Sequence, residues 1–112
     1  MSVVACYCTC PDADVAERIG DALVSARLAA CVNILPGVRS VYRWQGAVQR
    51  ADEILLLIKT TRAQLEPVTA LIASMHPYEL PEVLAVEVVG GSSGYLDWVI
   101  GNSSGSTPPR GD

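Results

Sequence analysis

Three cysteines near the start of the chain are the first side chains whose spacing could do chemistry. Cys6, Cys8 and Cys10 alternate with Tyr7 and Thr9, so the three thiols would lie on one face of a strand. A row of thiols could bind a soft metal ion. However, residues two positions apart on a strand are about 6.5 Å apart, which is too far for easy shared ligation. We therefore predict that these thiols are mainly core residues, because free cysteine is among the most buried residue types.

The remaining cysteine gives no further metal or redox motif. Cys31 stands apart from the other three, and the chain has no Cys-x-x-Cys pair, which argues against a zinc ribbon and a thioredoxin-type site. The first residues lack the positive segment that begins a signal peptide. We therefore expect reduced thiols and a cytoplasmic location.

The chain has one histidine, His76, which follows a predicted helix and precedes a loop that contains Pro77 and Pro81. A histidine at this place can be a metal ligand, or it can stabilise the last carbonyl groups of the helix. Glu79 and Glu82 lie in the same loop. They can be ligands or solvated carboxylates, and the residues alone leave both pairs of alternatives open.

Composition and motifs exclude several classes of function. The net charge is −4 and the acidic residues are spread along the chain without a basic run, which argues against nucleic acid and anionic membranes as partners. No apolar stretch approaches the roughly 20 residues of a membrane-spanning helix. The serine-hydrolase, zinc-protease and phosphate-loop motifs are also missing. We predict a protein that is not an enzyme.

The elements that must position these residues begin with a strand and a helix. Residues 3–9 are apolar on both faces and are predicted to form a central strand. Apolar residues then recur at helical spacing up to Ala26. The sequence Asp14-x-x-Glu17 matches a capping box, which predicts that this helix begins near Asp14.

A long hairpin follows the first helix. Residues 30–44 and 47–60 are predicted to form its two strands, which are joined by a turn at Gln45-Gly46. Pro36-Gly37 interrupts the first strand and predicts a bend or a bulge. Strands of this length predict an arm that extends beyond the core of its own subunit.

The second half of the chain predicts a helix, a strand and a short closing helix. Thr61-x-x-Gln64 matches a second capping box, but Pro67 would be awkward inside a helix. We therefore expect the regular helix to begin near Leu65 or to kink there. Residues 83–89 predict another strand and residues 93–100 the closing helix.

The element order β-α-β-β-α-β predicts an α+β, ferredoxin-like fold with both helices on one face of an antiparallel sheet. One domain is expected over residues 1–101, and a disordered C-terminal tail over 102–112 because its composition cannot bury a core. The strands are apolar on both sides, so subunit association is the simplest way to cover the other face of the sheet.

Several segments together resemble the CutA, or divalent-cation tolerance, family. They cover about residues 3 to 100 in the order and spacing of that family, and they are LAACVNILPG (28–37), SVYRWQG (40–46), LIKTT (57–61), HPYELPE (76–82) and YLDW (95–98). Each segment alone is a weak signal. All five together, in this order, carry the resemblance.

The resemblance implies a ferredoxin-like subunit that assembles as a homotrimer and functions in tolerance of divalent metals. It also implies copper(II), or another divalent transition metal, as the bound ion, with no organic cofactor. The ligands that the family pattern implies are Cys8, His76 and Glu82. A thiol, an imidazole and a carboxylate suit a transition ion better than magnesium or calcium, which prefer oxygen ligands.

An alternative function is a trimeric signalling or scaffold protein similar to PII regulators, which share the expected subunit fold. Such a protein would bind a small anion or a protein partner in clefts between subunits. The basic residues that could hold an anion are Arg39, Arg43, Lys59 and Arg62. A solvated hairpin face explains the same residues.

Overall fold

The fold is built around one antiparallel sheet in the order β2-β3-β1-β4. The structure, a computed structural model, describes residues 2–105. Its elements are β1 (Val3–Cys10), α1 (Ala13–Ser25), β2 (Cys31–Trp44), β3 (Ala47–Thr61), α2 (Leu65–Met75), β4 (Leu84–Glu87) and α3 (Ser93–Asn102). This arrangement confirms the ferredoxin-like prediction, including the extended hairpin and the closing helix. No helix within residues 2–105 has the length and apolar character needed to cross a membrane.

One face of the sheet forms the main core with the first two helices. The side chains of Val4, Cys6, Cys8 and Cys10 point to this face, and all four are buried. They pack in one cluster with Leu56 and Ile58 of β3 and with apolar residues of α1 and α2: Val15, Ile19, Leu23, Val68 and Ile72. The prediction that the three N-terminal thiols are core residues is therefore confirmed.

The opposite face of the sheet, here called the open face, is covered only in part. Its cross-strand pairs include Tyr7 with Leu57 and with Leu84, and Leu35 with Leu55. Leu35 and Leu84 are 40% and 51% exposed. Helix α3 covers one part of this face through a second cluster centred on Val3, Ala30 and Val99. The rest of the open face presents apolar side chains to solvent in the single chain.

The hairpin of β2 and β3 projects from this core and makes the molecule 52 Å long in its largest dimension. Leu35 pairs with Leu55 but Val38 pairs with Glu53, so Pro36 and Gly37 form an irregularity in the ladder, as predicted. Gly37 has φ +84°, which glycine adopts without the steric cost that other residues have.

The turn at the tip of the hairpin has two residues with positive φ. Gln45 and Gly46 have φ values of 51° and 83°. A two-residue turn of this kind matches the right-handed twist of the strands that it joins. The predicted hairpin turn is therefore confirmed.

Both predicted capping boxes are wrong. Helix α1 begins after Asp12, whose side chain accepts a hydrogen bond from the Val15 N–H, while Asp14 lies in the first turn and pairs with Arg18. Thr61 makes no capping hydrogen bond, and a 3₁₀ turn (Arg62–Gln64) precedes α2.

The regular part of the second helix begins at Leu65, as expected. Pro67 is therefore the third residue of α2. The first backbone N–H groups of a helix have no partner inside the helix, so the proline at this position removes no helical hydrogen bond.

The end of the domain differs from the sequence prediction. Asn102 is the last residue of α3, and the Ser103 side chain is buried. The Gly105 N–H donates to the Arg27 carbonyl at 2.7 Å. The folded part thus continues to Gly105, four residues beyond the predicted boundary at 101, and residues 106–112 of the predicted tail lie outside the described residues.

We expect Asp12→Ala to lower the free energy of unfolding by about 1 kcal/mol, because it removes the side chain that caps α1. Asp14→Ala is the matched control. It removes only an exposed ion pair and a favourable charge near the helix N-terminus, which contribute about 0.5 kcal/mol. Denaturant titration of both variants checks the prediction, and an equal or larger loss in Asp14→Ala would contradict it.

Candidate metal centre and adjoining cleft

Two thiols and the imidazole converge at the end of β1. The Sγ atoms of Cys8 and Cys10 and one ring nitrogen of His76 all lie within 4.8 Å of one another, and the three residues are buried. Among residues 2–105 this is the only such group of three or more histidine, cysteine or acidic side chains. We call it the thiol–imidazole cluster. The argument that Cys8 and Cys10 are too far apart was wrong, because the spacing of two residues along a strand does not fix the distance between their Sγ atoms.

The elements on each side explain how the cluster forms. Cys8 and Cys10 lie on the helix-facing side of β1, where α2 packs against the sheet. His76 directly follows the last residue of α2, and its backbone N–H donates to the Ile72 carbonyl. Its ring does not cap α2, which was one of the two alternatives. The ring instead reaches across to the end of β1.

Hydrogen bonds fix the tautomer of His76. The Tyr78 N–H donates to Nδ1 at 3.1 Å, so Nδ1 carries no proton. Nε2 lies 2.8 Å from the Thr9 carbonyl oxygen, which can only accept, so Nε2 carries the proton and donates. The His76 ring also packs against the Tyr78 ring, with centroids 4.6 Å apart. Both ring nitrogens are therefore already engaged.

The two thiols of the cluster have opposite pKa shifts. The side-chain interaction with Cys10, together with burial, raises the pKa of the Cys8 thiol far above its usual range. The same interaction lowers the pKa of Cys10. Burial raises the pKa of Cys6, the next thiol along the strand, to about 11. The Cys8 Sγ itself donates a long hydrogen bond of 3.8 Å to the Thr9 carbonyl.

Glu82, the third implied ligand, is exposed and is not part of the cluster. It lines a neighbouring cleft of about 580 Å³, and its negative charge adds a smaller contribution to the raised pKa of Cys8. The cleft is enclosed by the end of β1, the hairpin and the loop after α2, and its lining residues are Thr9, Ser40, Val41, Tyr42, Trp44, Glu53, Tyr78, Glu79, Leu80 and Glu82. Glu82 therefore lies beside the cluster and not within it.

Glu53 is a buried carboxylate in this cleft that sequence reasoning missed. It is only 7% exposed and accepts a hydrogen bond of 2.7 Å from the Tyr78 hydroxyl. Burial and this bond raise the pKa of Tyr78 well above its usual range. The only sequence signal is that Glu53 directly precedes the apolar run of residues 54–58, where a charged side chain is close to the core.

A metal ion fits the thiol–imidazole cluster in residue type and in spacing. Two thiolates and one imidazole are a common set of zinc ligands, and zinc–sulfur bonds of about 2.3 Å place tetrahedral sulfurs roughly 3.8 Å apart. Binding through Nδ1 of His76 would release only the Tyr78 N–H and keep the bond from Nε2–H to Thr9. Binding through Nε2 would disrupt both hydrogen bonds, so Nδ1 is the less costly ligand atom.

Three of the four basic residues that were considered for an anion site interact with other side chains of the chain. Arg39 pairs with Asp52 at 3.0 Å and Arg62 with Glu87 at 2.8 Å. The Lys59 ammonium donates to the Asn33 side chain. None of the residues that line the cleft is basic. The cleft within one chain is therefore no anion site, and the alternative of an anion held between subunits stays a prediction from the sequence.

Comparison with known proteins gives one consistent relationship. A family model described as "CutA1 divalent ion tolerance protein" matches residues 4–102. A divalent-cation tolerance protein CutA from Thermus thermophilus is 46% identical over 95 residues, which cover 85% of this chain and 92% of that protein. A chloroplastic CutA protein from Arabidopsis thaliana is 45% identical over 93 residues, which cover 83% of this chain and 51% of that protein.

Solved structures agree with this relationship. The structure of a divalent cation tolerance protein from Thermus thermophilus has a TM-score of 0.89 and 44% identity to this chain, covering 90% of this chain and 98% of that one. The chain spans about half the length of the first plant and mammalian relatives that it matches.

We expect Tyr78→Phe to lower the free energy of unfolding by roughly 1–3 kcal/mol, because it leaves the buried Glu53 carboxylate without its hydroxyl donor. Tyr42→Phe, in the same cleft but with a side chain that is 44% exposed, should change it by less than about 0.5 kcal/mol. Thermal and denaturant unfolding measure both effects. Equal effects of the two substitutions would show that the Tyr78–Glu53 bond contributes nothing specific.

Proposed function

Because this chain belongs to the CutA1 family of divalent ion tolerance proteins, we propose that it is a non-enzymatic, homotrimeric protein that binds a transition-metal ion. The proposed ligands are Cys8 and His76, as the family pattern implies, together with Cys10. The observation that carries this proposal is the convergence of three potential ligand atoms within 4.8 Å at the end of β1. Catalysis has no part in the proposed role.

The donor set indicates which ions to test. Thiolates favour copper(I) and zinc, while imidazole suits both zinc and copper. Addition of Cys10 to the implied set makes it richer in sulfur than a set of one thiol, one imidazole and one carboxylate. We therefore propose zinc beside copper as the ion, with Glu82 as an outer carboxylate that approaches from the cleft. A cytoplasmic location stays a prediction from the sequence.

Metal binding must displace protons. The side-chain interaction with Cys10 and burial raise the pKa of Cys8 far above its usual range, which favours the neutral thiol. A metal ion needs the thiolate, and the Cys8 proton must leave when the ion binds. Affinity should accordingly rise as the pH rises, by about tenfold per pH unit for each proton released.

Assembly would cover the open face of the sheet. Leu35 and Leu84, and Val86 at 47% exposure, present apolar surface on the side of the sheet away from α1 and α2. Interfaces of permanent oligomers are more apolar than ordinary protein surface. The family resemblance supplies the trimer as the form of association, and the open face supplies the physical reason for it.

Anaerobic titration with zinc and with copper should give one ion per subunit. We expect Cys8→Ser and Cys10→Ser to weaken binding by at least about 100-fold, since each removes a ligand. His76→Ala should also weaken it, and Glu82→Gln should have a smaller effect of about tenfold. Equilibrium dialysis at pH 6, 7 and 8 measures affinity and its dependence on pH.

Cys6→Ser is the matched control for this titration. Cys6 lies on the same strand face and is as buried as Cys8, but it is outside the cluster. Its substitution should leave metal affinity unchanged. Equal losses in Cys6→Ser and Cys8→Ser would assign the effect to core damage, and an absence of saturable binding to the unmodified protein would refute the proposal.

The assembled protein should have three times the chain mass of 11.9 kDa. Leu35→Asp places a charge on the open face and should shift the mass towards that of one chain. Val24→Asp is the control, because Val24 is similarly exposed at 41% but lies on α1. Sedimentation equilibrium measures both. A single-chain mass for the unmodified protein would overturn the trimer.

A further inference from the structure

The cleft beside the thiol–imidazole cluster has the features of a separate ligand site. Its volume of about 580 Å³ is typical of pockets for small organic ligands, which run from about 300 to 1,000 Å³. Tyr42 and Trp44 line it from the hairpin, and Tyr78 lines it from the loop after α2. The walls therefore combine two segments of the chain and carry three aromatic rings.

The charge of the cleft is entirely negative. Glu53, Glu79 and Glu82 line it, and none of the lining residues is a lysine, an arginine or a histidine. Glu53 is more than nine-tenths buried, and within residues 2–105 it forms no ion pair with a basic side chain. Buried carboxylates are usually paired with a cation or a metal because burial without a counter-charge is costly. No basic side chain among the residues that line the cleft therefore balances the charge of the buried Glu53.

A single metal ion does not match this arrangement. The carboxylates of Glu53, Glu79 and Glu82 do not converge as a ligand group, since the thiol–imidazole cluster is the only convergent group among residues 2–105. Carboxylates that are separated from one another and lie between aromatic rings instead suit an organic cation, which is larger than a metal ion. Ammonium and guanidinium groups are attracted to the faces of tryptophan and tyrosine, and guanidinium also pairs with a carboxylate through two parallel hydrogen bonds.

We propose that this cleft binds a ligand with a guanidinium or ammonium group, which pairs with Glu53 while its carbon chain lies against Trp44 and Tyr42. The free ligand can be a small organic cation, or the group can belong to an arginine or lysine side chain of a protein. The site adjoins the proposed metal centre and shares only Glu82 with it. Its occupation does not require Cys8, Cys10 or His76.

The test is calorimetric titration of the assembled full-length protein, in the presence of a metal chelator, with agmatine. Agmatine carries a guanidinium and an ammonium group on a four-carbon chain. N-butylurea, which has a similar shape and no charge, is the control ligand. We expect saturable binding of one agmatine per subunit and no measurable binding of N-butylurea. A blocked alanine–arginine–alanine peptide tests the same group on a protein chain.

Two variants locate the binding. Glu53→Gln should weaken agmatine binding at least tenfold, while Glu17→Gln, which removes an exposed carboxylate on α1, should leave it unchanged. If Glu53→Gln does not fold, Trp44→Ala is the variant to test. The Trp44 ring is partly exposed on the hairpin, and its removal should also weaken agmatine binding several-fold.

Each result has a definite meaning. Binding of agmatine alone assigns the site to small molecules, and binding of the peptide as well assigns it to protein side chains. Equal weakening by Glu17→Gln would indicate general attraction to an acidic protein and would overturn the site. A lack of binding to the assembled protein, as expected if another subunit fills the cleft, would overturn it too. Neither result depends on whether the metal proposal holds.

Discussion

The pairing of β1 with β3 fixes the position of almost every residue of interest. The two strands pair without interruption from Val3 with Thr61 to Cys10 with Ile54. This register directs Cys8 and Cys10 to the helix-facing side, where Leu56 and Ile58 are fully buried beside them. A slip of one residue would turn every side chain of β1 to the other face. The buried Leu56 and Ile58 side chains, each stabilising by about 2–3 kcal/mol, resist such a slip.

The end of β1 connects this register to the candidate site. The Thr9 carbonyl accepts from the His76 ring, and the other ring nitrogen accepts from Tyr78. The Tyr78 hydroxyl in turn donates to Glu53 on β3. These bonds attach the loop after α2 to the sheet and satisfy its buried polar groups. They also compete with metal binding, since an ion at His76 must replace at least one of them. Under the proposed function, metal binding would exchange local hydrogen bonds for bonds to the ion.

Much of the fold could be predicted from the sequence because hydrophobic period and turn residues are local signals. The apolar stripe of α1, the Pro36-Gly37 irregularity and the Gln45-Gly46 turn are all of this kind. The residue that caps α1 was harder to predict, because both Asp12 and Asp14 lie near the start of the helix. Only the backbone conformation shows which of the two side chains accepts a hydrogen bond from the Val15 N–H.

The site was harder to predict because it depends on contacts between distant segments. Family resemblance pointed to Cys8 and His76, which the fold brings together with Cys10. Whether Cys10 joins the thiol–imidazole cluster depends on the orientation of its side chain, which the sequence does not give. Glu53 is identified by its hydrogen bond with Tyr78, which lies 25 residues further along the chain. No local pattern distinguishes Cys10 from Cys6, and the position of Glu53 before the apolar run of residues 54–58 is only a weak signal. Periodicity assigns a residue to a face, but it does not give the distance between two side-chain atoms.

The irregularity at Pro36 and Gly37 has a consequence for solubility. Strand β2 is an edge of the sheet, and 14 residues of unpaired edge would be a long template for strands of other molecules. Pro36 has no N–H to offer, and the shift of register after Leu35 divides the edge into two shorter segments with different alignment. A foreign strand can follow only one of them at a time. The irregularity thus interrupts a sheet edge that could otherwise pair with strands of other molecules over its whole length.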